Sequence, residues 1–172
     1  MIDLPRIAAL PREARLWLYV SSRALTPDES GRLNEMMDAF VSDWSSHGRP
    51  VLGATDFAEG RILGIGALVP AADISGCGID KSVHRLEELG REMGIEWLAG
   101  LSIAFRDTSG AIQVVSRPAF RKLIASGEVD ASTPILDLSL MTVAELQDRG
   151  IERALGASWH ARVFRIPAGL SA

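Results

Sequence analysis

The only cysteine of this 172-residue chain lies between two glycines, in the run Ser75-Gly76-Cys77-Gly78-Ile79-Asp80. A strongly helical segment follows the run. The unpaired amide hydrogens and the positive dipole end of that helix would favour the thiolate form of Cys77, while Gly76 and Gly78 would let the backbone approach a ligand closely. The pattern predicts a Cys77-centred site that binds a ligand or performs thiol-dependent catalysis, with Ser75 and the two glycines in contact with the ligand.

The same run also has a purely structural interpretation. Free cysteines are commonly buried, and glycines often serve turns that need a positive φ. Cys77 would then be a small residue that fills a tight strand-to-helix turn. Asp80 has two interpretations as well, because its carboxylate could orient a catalytic base or could cap the following helix.

Two histidines are candidate bases for Cys77. His84 lies four residues after Asp80, on the same predicted helix face. His47 is predicted to end the first helix, which in a split βαβ topology would place it at the opposite end of the layer from Cys77. The residues alone leave Cys77 and Asp80, with either His47 or His84, as the candidate catalytic residues. A metal site using Cys77 with histidines is a further alternative, but no Cys-x-x-Cys or His-Glu-x-x-His spacing accompanies them, so neither a metal nor a cofactor is predicted.

Phosphate-binding signatures are missing from the sequence. Gly64-Ile65-Gly66 falls in a predicted strand and lacks the third glycine and the helix start of a dinucleotide fingerprint, and no Walker sequence occurs. We therefore expect no P-loop ATPase activity. The formal net charge of -4 also disfavours general nucleic-acid binding. Near the tail, Trp159 and Arg162 are a second pair of candidate ligand-binding residues.

The elements that must position these residues predict an α+β fold. Residues 1–13, with two prolines, are predicted to form an irregular N-terminal arm ahead of a single domain, 14–172. Within that domain, the order strand, helix, strand, strand, helix, strand over 14–106 predicts a ferredoxin-like split βαβ antiparallel sheet with its helices on one face. Residues 107–172 are predicted to be a C-terminal α/β extension.

Local signals predict where several elements begin and end. The run Thr26-Pro27-Asp28-Glu29 predicts a capping box that opens the first helix, and Gly48 would end this helix. Residues 101–105 are predicted to be the fourth strand of the core. Residues 158–164 alternate between apolar and polar side chains as an edge strand does.

Composition and cysteine content predict a cytoplasmic protein. Hydrophobic residues make up 47% of the chain and charged residues 23%, which argues against disorder. A single cysteine excludes an intrachain disulfide framework and favours a reducing compartment. The start lacks the features of a secretory signal, and no segment approaches the roughly 20 apolar residues of a spanning helix, so no membrane association is expected.

Several segments together resemble a family of small, uncharacterised bacterial proteins that is common in Bacteroidetes and is often labelled "ABC transporter ATPase". The resemblance spans most of the chain and is carried by Trp17, Trp44, Ser46-His47-Gly48, Ser75-Gly76-Cys77, Ile79-Asp80, Thr133, Glu145, Ser158-Trp159, Ala161-Arg162 and Phe164. It implies that Cys77, Asp80 and His47 form a shared feature. It does not imply ATP hydrolysis, because such an ATPase needs a phosphate-cradling loop that this chain lacks.

The chain departs from the pattern of that family at two places in the cysteine run. The relatives usually read Ser-Gly-Cys-Ser-Ile-Asp-Ser, whereas Gly78 and Lys81 replace the second and third serines here. His84 and His160 are also peculiar to this chain. The resemblance therefore disfavours His84 as a catalytic base.

Two functions are compatible with these patterns. The first is a small enzyme or ligand-binding protein that uses Cys77 for acyl transfer or hydrolysis, with His47 or Arg162 completing the pocket. The second is a noncatalytic protein-interaction module or homodimer that docks through a sheet edge or through the tail, residues 159–164. The partner, a small molecule or a protein, is not specified by the sequence.

Overall fold

In the computed structural model the described residues are 2–70, 72–98 and 102–166, and they form the expected mixture of helices and antiparallel sheets. The helices are Pro5–Ala8 (α1), Pro27–Asp43 (α2), Gly76–Met93 (α3), Arg117–Ser126 (α4), Val143–Arg149 (α5) and Trp159–Phe164 (α6), with a 3₁₀ turn at Leu155–Ala157. The strands are Arg15–Ser21 (β1), Ser45–Ser46 (β2), Arg49–Pro50 (β3), Leu52–Ala58 (β4), Ile62–Leu68 (β5), Trp97–Leu98 (β6), Ser102–Arg106 (β7), Ile112–Ser116 (β8), Pro134–Leu136 (β9) and Glu152–Ala154 (β10). The predicted boundaries at residues 1, 101 and 172 lie outside the described residues. No helix in the described ranges is both long enough and apolar enough to cross a membrane.

The first sheet has four strands in the order β4-β5-β1-β6, and all of its pairings are antiparallel. Trp17 on β1 lies opposite Ile65 on β5, and Val20 on β1 lies opposite Leu98 on β6. The predicted hairpin of β4 and β5 is confirmed. Strand β1 therefore occupies an interior position, and β4 and β6 form the two edges.

Both faces of this sheet are covered. Trp17 and Tyr19 point to the side where α2 and α3 pack, whereas Leu16, Leu18 and Val20 point to a second apolar cluster. This alternation follows from the period of two along a strand. The two helices within residues 14–106, α2 and α3, thus lie on one face, and the second cluster includes α1 and α5, which lie outside this range.

The N-terminal arm that we predicted to be irregular contains α1 and belongs to the core. Ile7 and Leu10 pack over β5, where Cβ atoms added to Gly64 and Gly66 would come within 2.6 Å and 2.5 Å of their side chains. The amide of Ile7 donates a hydrogen bond of 2.9 Å to Asp56 Oδ2. The glycine pair of β5 therefore provides a groove for the start of the chain.

The second sheet has the order β10-β9-β7-β8, again antiparallel throughout. Strand β7 is the element that we predicted to be the fourth strand of the first sheet, and that prediction is wrong because β6 takes this position. Ile103 and Phe105 of β7 instead pack with Phe120 of α4. Residues of β7 to β9 also reach the apolar cluster shared with β1, so the two sheets have a common core.

A half-buried arginine links the two sheets. The guanidinium of Arg106, at the end of β7, forms ion pairs with Glu59 next to β4 and with Glu152 on β10. Only 13% of the Arg106 side chain is exposed. Ion pairs shielded from water in this way are less screened than surface pairs.

The tail is a helix and not the predicted edge strand. His160 and Phe164 are four residues apart and both point inward, and the Phe164 ring lies 4.9 Å from that of Phe120. This spacing suits one face of a helix. The alternation of apolar and polar residues over 158–164 therefore does not correspond to a strand.

Candidate functional site

Helix α2 ends earlier than predicted, and a small hairpin follows it. The last residue of α2 is Asp43, and β2 and β3 pair across a turn made by His47 and Gly48. Both turn residues have positive φ, 49° and 75°, as a two-residue hairpin turn of this kind requires. His47 is therefore an exposed turn residue and not the end of a helix.

This hairpin packs directly against the start of α3. Ser46 Oγ lies 2.7 Å from Ser75 Oγ, and it accepts a hydrogen bond of 3.2 Å from the Ser75 amide. The indole Nε1 of Trp44 donates to the carbonyl oxygen of Gly78 at 2.9 Å. The Lys81 ammonium donates to the carbonyl oxygen of Ser45, also at 2.9 Å. Four contacts thus join residues 44–46 to residues 75–81.

The expectation that His47 and Cys77 lie at opposite ends of the helix layer is wrong. Strands β1 and β5 are antiparallel, so the helices that follow them, α2 and α3, run in opposite directions. The C-terminal end of α2 and the N-terminal end of α3 therefore meet at the same end of the layer. Ser46, which precedes His47, touches Ser75, which is two residues before Cys77.

Cys77 is exposed, in the first turn of α3. The interpretation in which this thiol fills a buried turn is therefore wrong. The cap of the helix is Ser75, whose Oγ accepts from the Gly78 amide at 3.2 Å, and Asp80 is an exposed residue one turn further along. The prediction of Asp80 as the cap is therefore wrong as well.

Two amides next to the thiol remain open to a ligand. The first amides of a helix have no intrahelical acceptor. Ser75 accepts hydrogen bonds from the Gly78 amide through Oγ and from the Ile79 amide through its carbonyl oxygen. The amides of Gly76 and Cys77 have no hydrogen-bond acceptor within the described ranges. The exposed sulfur therefore lies beside two unbonded N–H groups, in the electrostatic environment that favours an anion.

The two glycines of the run have different roles. Neither has a positive φ, so the turn that we expected them to serve is absent. A Cβ on Gly78 would come within 2.9 Å of Ser46 Oγ and of Ile74 Cγ1, whereas a Cβ on Gly76 would meet nothing within 4 Å. The close packing against Ser46 gives a steric reason for glycine at position 78.

No histidine is bonded to the Cys77 sulfur in the described ranges. His84 Nδ1 lies 2.9 Å from the backbone oxygen of Asp80. Seven residues of helix separate Cys77 from His84, a rise of about 10.5 Å, which is too far for direct proton transfer. His47 is the histidine on the hairpin that contacts the start of α3, but it makes no hydrogen bond to Cys77 there.

The described residues contain no group of three or more histidine, cysteine or carboxylate side chains arranged to hold a metal ion. The alternative of a metal bound by Cys77 and histidines thus has no ligand set in that part of the chain.

Trp159 and Arg162 lie in a different place from Cys77. Both line a cavity of about 690 Å³ beside α6, which Cys77 does not line. The Trp159 indole donates to Asp137 Oδ1 at 3.0 Å. Arg162 therefore does not complete a pocket around the thiol.

The sequence did not identify several residues of this cavity. Asp137 is buried beneath Trp159, and Arg149, Arg153 and Arg165 join Arg162 in the lining. The density of arginine over residues 149–165 was the available signal. The contact between Asp137 and Trp159 had none, because it depends on tertiary packing across 22 residues.

No family model, no curated protein and no solved structure matches this chain. Its chemistry therefore has to be inferred from its own contacts.

Proposed function

We propose that the chain is a thiol-dependent enzyme for acyl transfer or hydrolysis, with Cys77 as its nucleophile. The observation that supports this function best is the exposed Cys77 sulfur in the first turn of α3, beside the unbonded amides of Gly76 and Cys77. The thiolate is the reactive form of cysteine. The same amides are suitably placed for an oxyanion.

The reaction begins when the Cys77 thiolate attacks the carbonyl carbon of an acyl substrate. A carbon–sulfur bond forms, and the carbonyl electron pair moves to oxygen, where the Gly76 and Cys77 amides donate hydrogen bonds to it. Collapse of this intermediate breaks the bond to the leaving group, which takes a proton from water. Water or a second nucleophile then cleaves the thioester and releases the thiolate.

His47 and Asp80 have supporting roles in this proposal. His47 projects from the hairpin that contacts Ser75, and it could deliver protons to the leaving group through water. Asp80 lies three residues after Cys77 on the same helix face and shapes the approach to the sulfur. Cys77 does not line the cavities of about 1000 Å³, 690 Å³ and 650 Å³ among the described residues, and we propose that the acyl group arrives on a larger molecule that binds beside the thiol.

The test uses p-nitrophenyl acetate as a model acyl donor and iodoacetamide as an alkylating probe. We expect an acetyl adduct on Cys77 by mass spectrometry, and alkylation at pH 7 at least about tenfold faster than that of an unstructured cysteine peptide. Cys77→Ser should form no adduct. Lys122→Gln, at an exposed position on α4, should still form it. A wild-type alkylation rate equal to that of the peptide would refute the proposal.

We also propose that the core of the chain is ferredoxin-like and that the chain belongs to the bacterial family that it resembles. The antiparallel order β4-β5-β1-β6, with α2 and α3 on one face, supports the first point. The contacts of Trp44 and Ser46 with Gly78 and Ser75 support the second, because they join two segments of the family pattern. A reducing, cytoplasmic setting would keep the single thiol active.

The alternative function, a protein-interaction module or homodimer, rests on sheet edges. The tail is a helix, so it offers no such edge. Strands β4, β6, β8 and β10 are the outer strands of the two four-stranded sheets, and Leu52 of β4 has 46% of its surface exposed. Light scattering tests this alternative: a dimer that Leu52→Lys converts to a monomer would support it, and a monomeric wild type would count against it.

A further inference from the structure

The cavity beside α6 has the size of a small-molecule site. Its volume is about 690 Å³, and its lining includes the end of α5 at Arg149, Arg153 on β10, and Arg162 and Arg165 in and after α6. Sites for small ligands in proteins usually measure about 300–1,000 Å³. The proposed chemistry of Cys77 does not involve this cavity.

The charge of the lining is opposite to that of the chain. Four arginines and one carboxylate, Asp137, line the cavity, which gives a formal charge of 4 − 1 = +3, whereas the whole chain has a net charge of -4. Like charges that converge on one cavity repel one another unless an anion offsets them. The concentration of positive charge therefore indicates an anionic ligand.

Most of these guanidiniums keep donors for a ligand. Arg149 is paired with Glu145 at 2.9 Å. Arg153 donates from Nη2 to the backbone oxygens of Arg149 and Gly150, but its Nε is buried and has no partner within the described ranges. Arg162 and Arg165 are exposed and make no ion pair there. Three of the four arginines are therefore uncommitted to a carboxylate.

Asp137 is already engaged by other groups. It is 2% exposed, and its Oδ1 accepts hydrogen bonds from the Ser139 amide, the Ser139 hydroxyl and the Trp159 indole. Burial disfavours its charge, but the donors and Arg153 outweigh that effect, so the pKa of this carboxyl is lowered. The carboxylate therefore holds the Trp159 ring at the wall and does not neutralise the exposed arginines.

The neighbouring histidine adds no positive charge to the cavity at neutral pH. His160 stacks against Trp159 with ring centroids 3.8 Å apart, and its Nδ1 is buried without a partner among the described residues. Burial lowers its pKa to about 4. The arginines are therefore the only cations that the lining presents to a ligand there.

We propose that this cavity binds a phosphate group, as the free ion or as a monoester, through Arg153, Arg162 and Arg165. A phosphate group carries close to two negative charges and three acceptor oxygens. It therefore complements three guanidiniums better than a ligand with a single carboxylate does. Guanidinium forks bind phosphate oxygens in pairs. The ring of Trp159 offers an apolar surface for the organic part of an ester.

The test follows the indole N–H resonance of Trp159 by NMR, assigned by its loss in Trp159→Phe, while inorganic phosphate or phenyl phosphate is added at constant ionic strength. We expect a saturable shift. Arg162→Gln/Arg165→Gln should weaken binding by at least about tenfold, because both side chains are exposed and their loss removes two charge-assisted contacts. Arg32→Gln/Lys122→Gln, which removes two exposed charges elsewhere, should bind as the wild type does.

The outcomes distinguish a phosphate ester from the free phosphate ion, and specific binding from an effect of net charge. Tighter binding of phenyl phosphate would assign the site to esters, and equal or tighter binding of inorganic phosphate would assign it to the free ion. No saturable shift with either probe at millimolar concentration would overturn the proposal. Equal weakening in the control pair would also overturn it, since binding would then reflect net charge alone. Cys77→Ala should bind normally, so this result is independent of the thiol chemistry.

Discussion

The indole of Trp44 donates a hydrogen bond to the carbonyl oxygen of Gly78 at 2.9 Å, and this contact ties the end of α2 to the first turn of α3. Trp44 is 3% exposed, so the bond is shielded from water. The ring also packs 5.0 Å from that of Phe40. The backbone that carries Cys77 is thereby fixed by a side chain that is far from it in the sequence.

Loss of this hydrogen bond should be measurable against a matched tryptophan. Trp97 Nε1 is buried and has no partner within the described ranges, so Trp97→Phe replaces an indole with a phenyl ring without removing a hydrogen bond. We expect Trp44→Phe to lower the free energy of unfolding by about 1 kcal/mol more than Trp97→Phe does. Urea denaturation of both variants gives the difference. Equal losses would show that the Trp44 bond contributes nothing.

The two glycines beside Cys77 should respond in opposite ways to alanine. Gly78→Ala places a methyl group 2.9 Å from Ser46 Oγ and Ile74 Cγ1, and overpacking of this kind costs about 1–3 kcal/mol. Gly76→Ala meets open space and should be neutral or stabilising by up to about 1 kcal/mol. Thermal unfolding of the two variants compares them directly. A stable Gly78→Ala protein would contradict the packing described for Ser46.

The ion pairs of Arg106 should matter more to stability than surface pairs do. Arg106→Met leaves Glu59 and Glu152 without their shared partner, and we expect a loss of about 2–3 kcal/mol in the free energy of unfolding. Arg12→Met breaks an exposed pair with Asp148 and serves as the control. Its effect should be much smaller, because exposed pairs are screened by water. Denaturant titration at two salt concentrations would distinguish the pairs, since only the Arg12 effect should fade with salt.

His160 should make the protein less stable in mild acid. Burial lowers its pKa from 6.5 to about 4; the charges of Arg117 and Arg153 act in the same direction, and that of Asp137 opposes them. Between these pH values the unfolded chain binds a proton that the folded chain does not, so the free energy of unfolding falls as the pH is lowered from 6.5 to 4.

The matched variants for this prediction are His160→Phe and His47→Gln. As the pH falls from 6.5 to 4, the free energy of unfolding should decrease more for the wild type than for His160→Phe. His47→Gln, at an exposed turn, should follow the wild type. A constant difference between wild type and His160→Phe from pH 6.5 to 4 would contradict the effect of burial on this imidazole.

Features governed by neighbouring residues were predictable from the sequence, and features governed by distant ones were not. The capping box at Thr26 and Glu29 is confirmed, with both of its reciprocal hydrogen bonds present. The position of β7 depends on contacts across the whole chain, and the sequence predicted residues 101–105 as the fourth strand of the first sheet, where β6 lies instead. A pattern in the sequence cannot choose between them, because strand pairing is decided by the packing of both faces.

In the candidate site, too, local features were predictable and contacts between distant residues were not. The position of the thiol at a helix start was predicted, whereas its exposure was left open between two interpretations. The cap was not predicted, because Ser75 and Asp80 are both good capping residues. Contacts from Ser46 place the helix start at the earlier residue. The arginine cavity depends on the contact between Asp137 and Trp159, for which no local pattern exists.

The docking of α1 on Gly64 and Gly66 has a consequence for how the chain folds. The hydrogen bond from Ile7 to Asp56 joins residues 49 positions apart, so the first helix cannot be seated until the β4–β5 hairpin exists. A four-residue helix has no stability of its own in water. The residues of α1 therefore stay unstructured during synthesis until the hairpin has formed. Gly64 and Gly66 remain exposed to water until this non-local contact covers them.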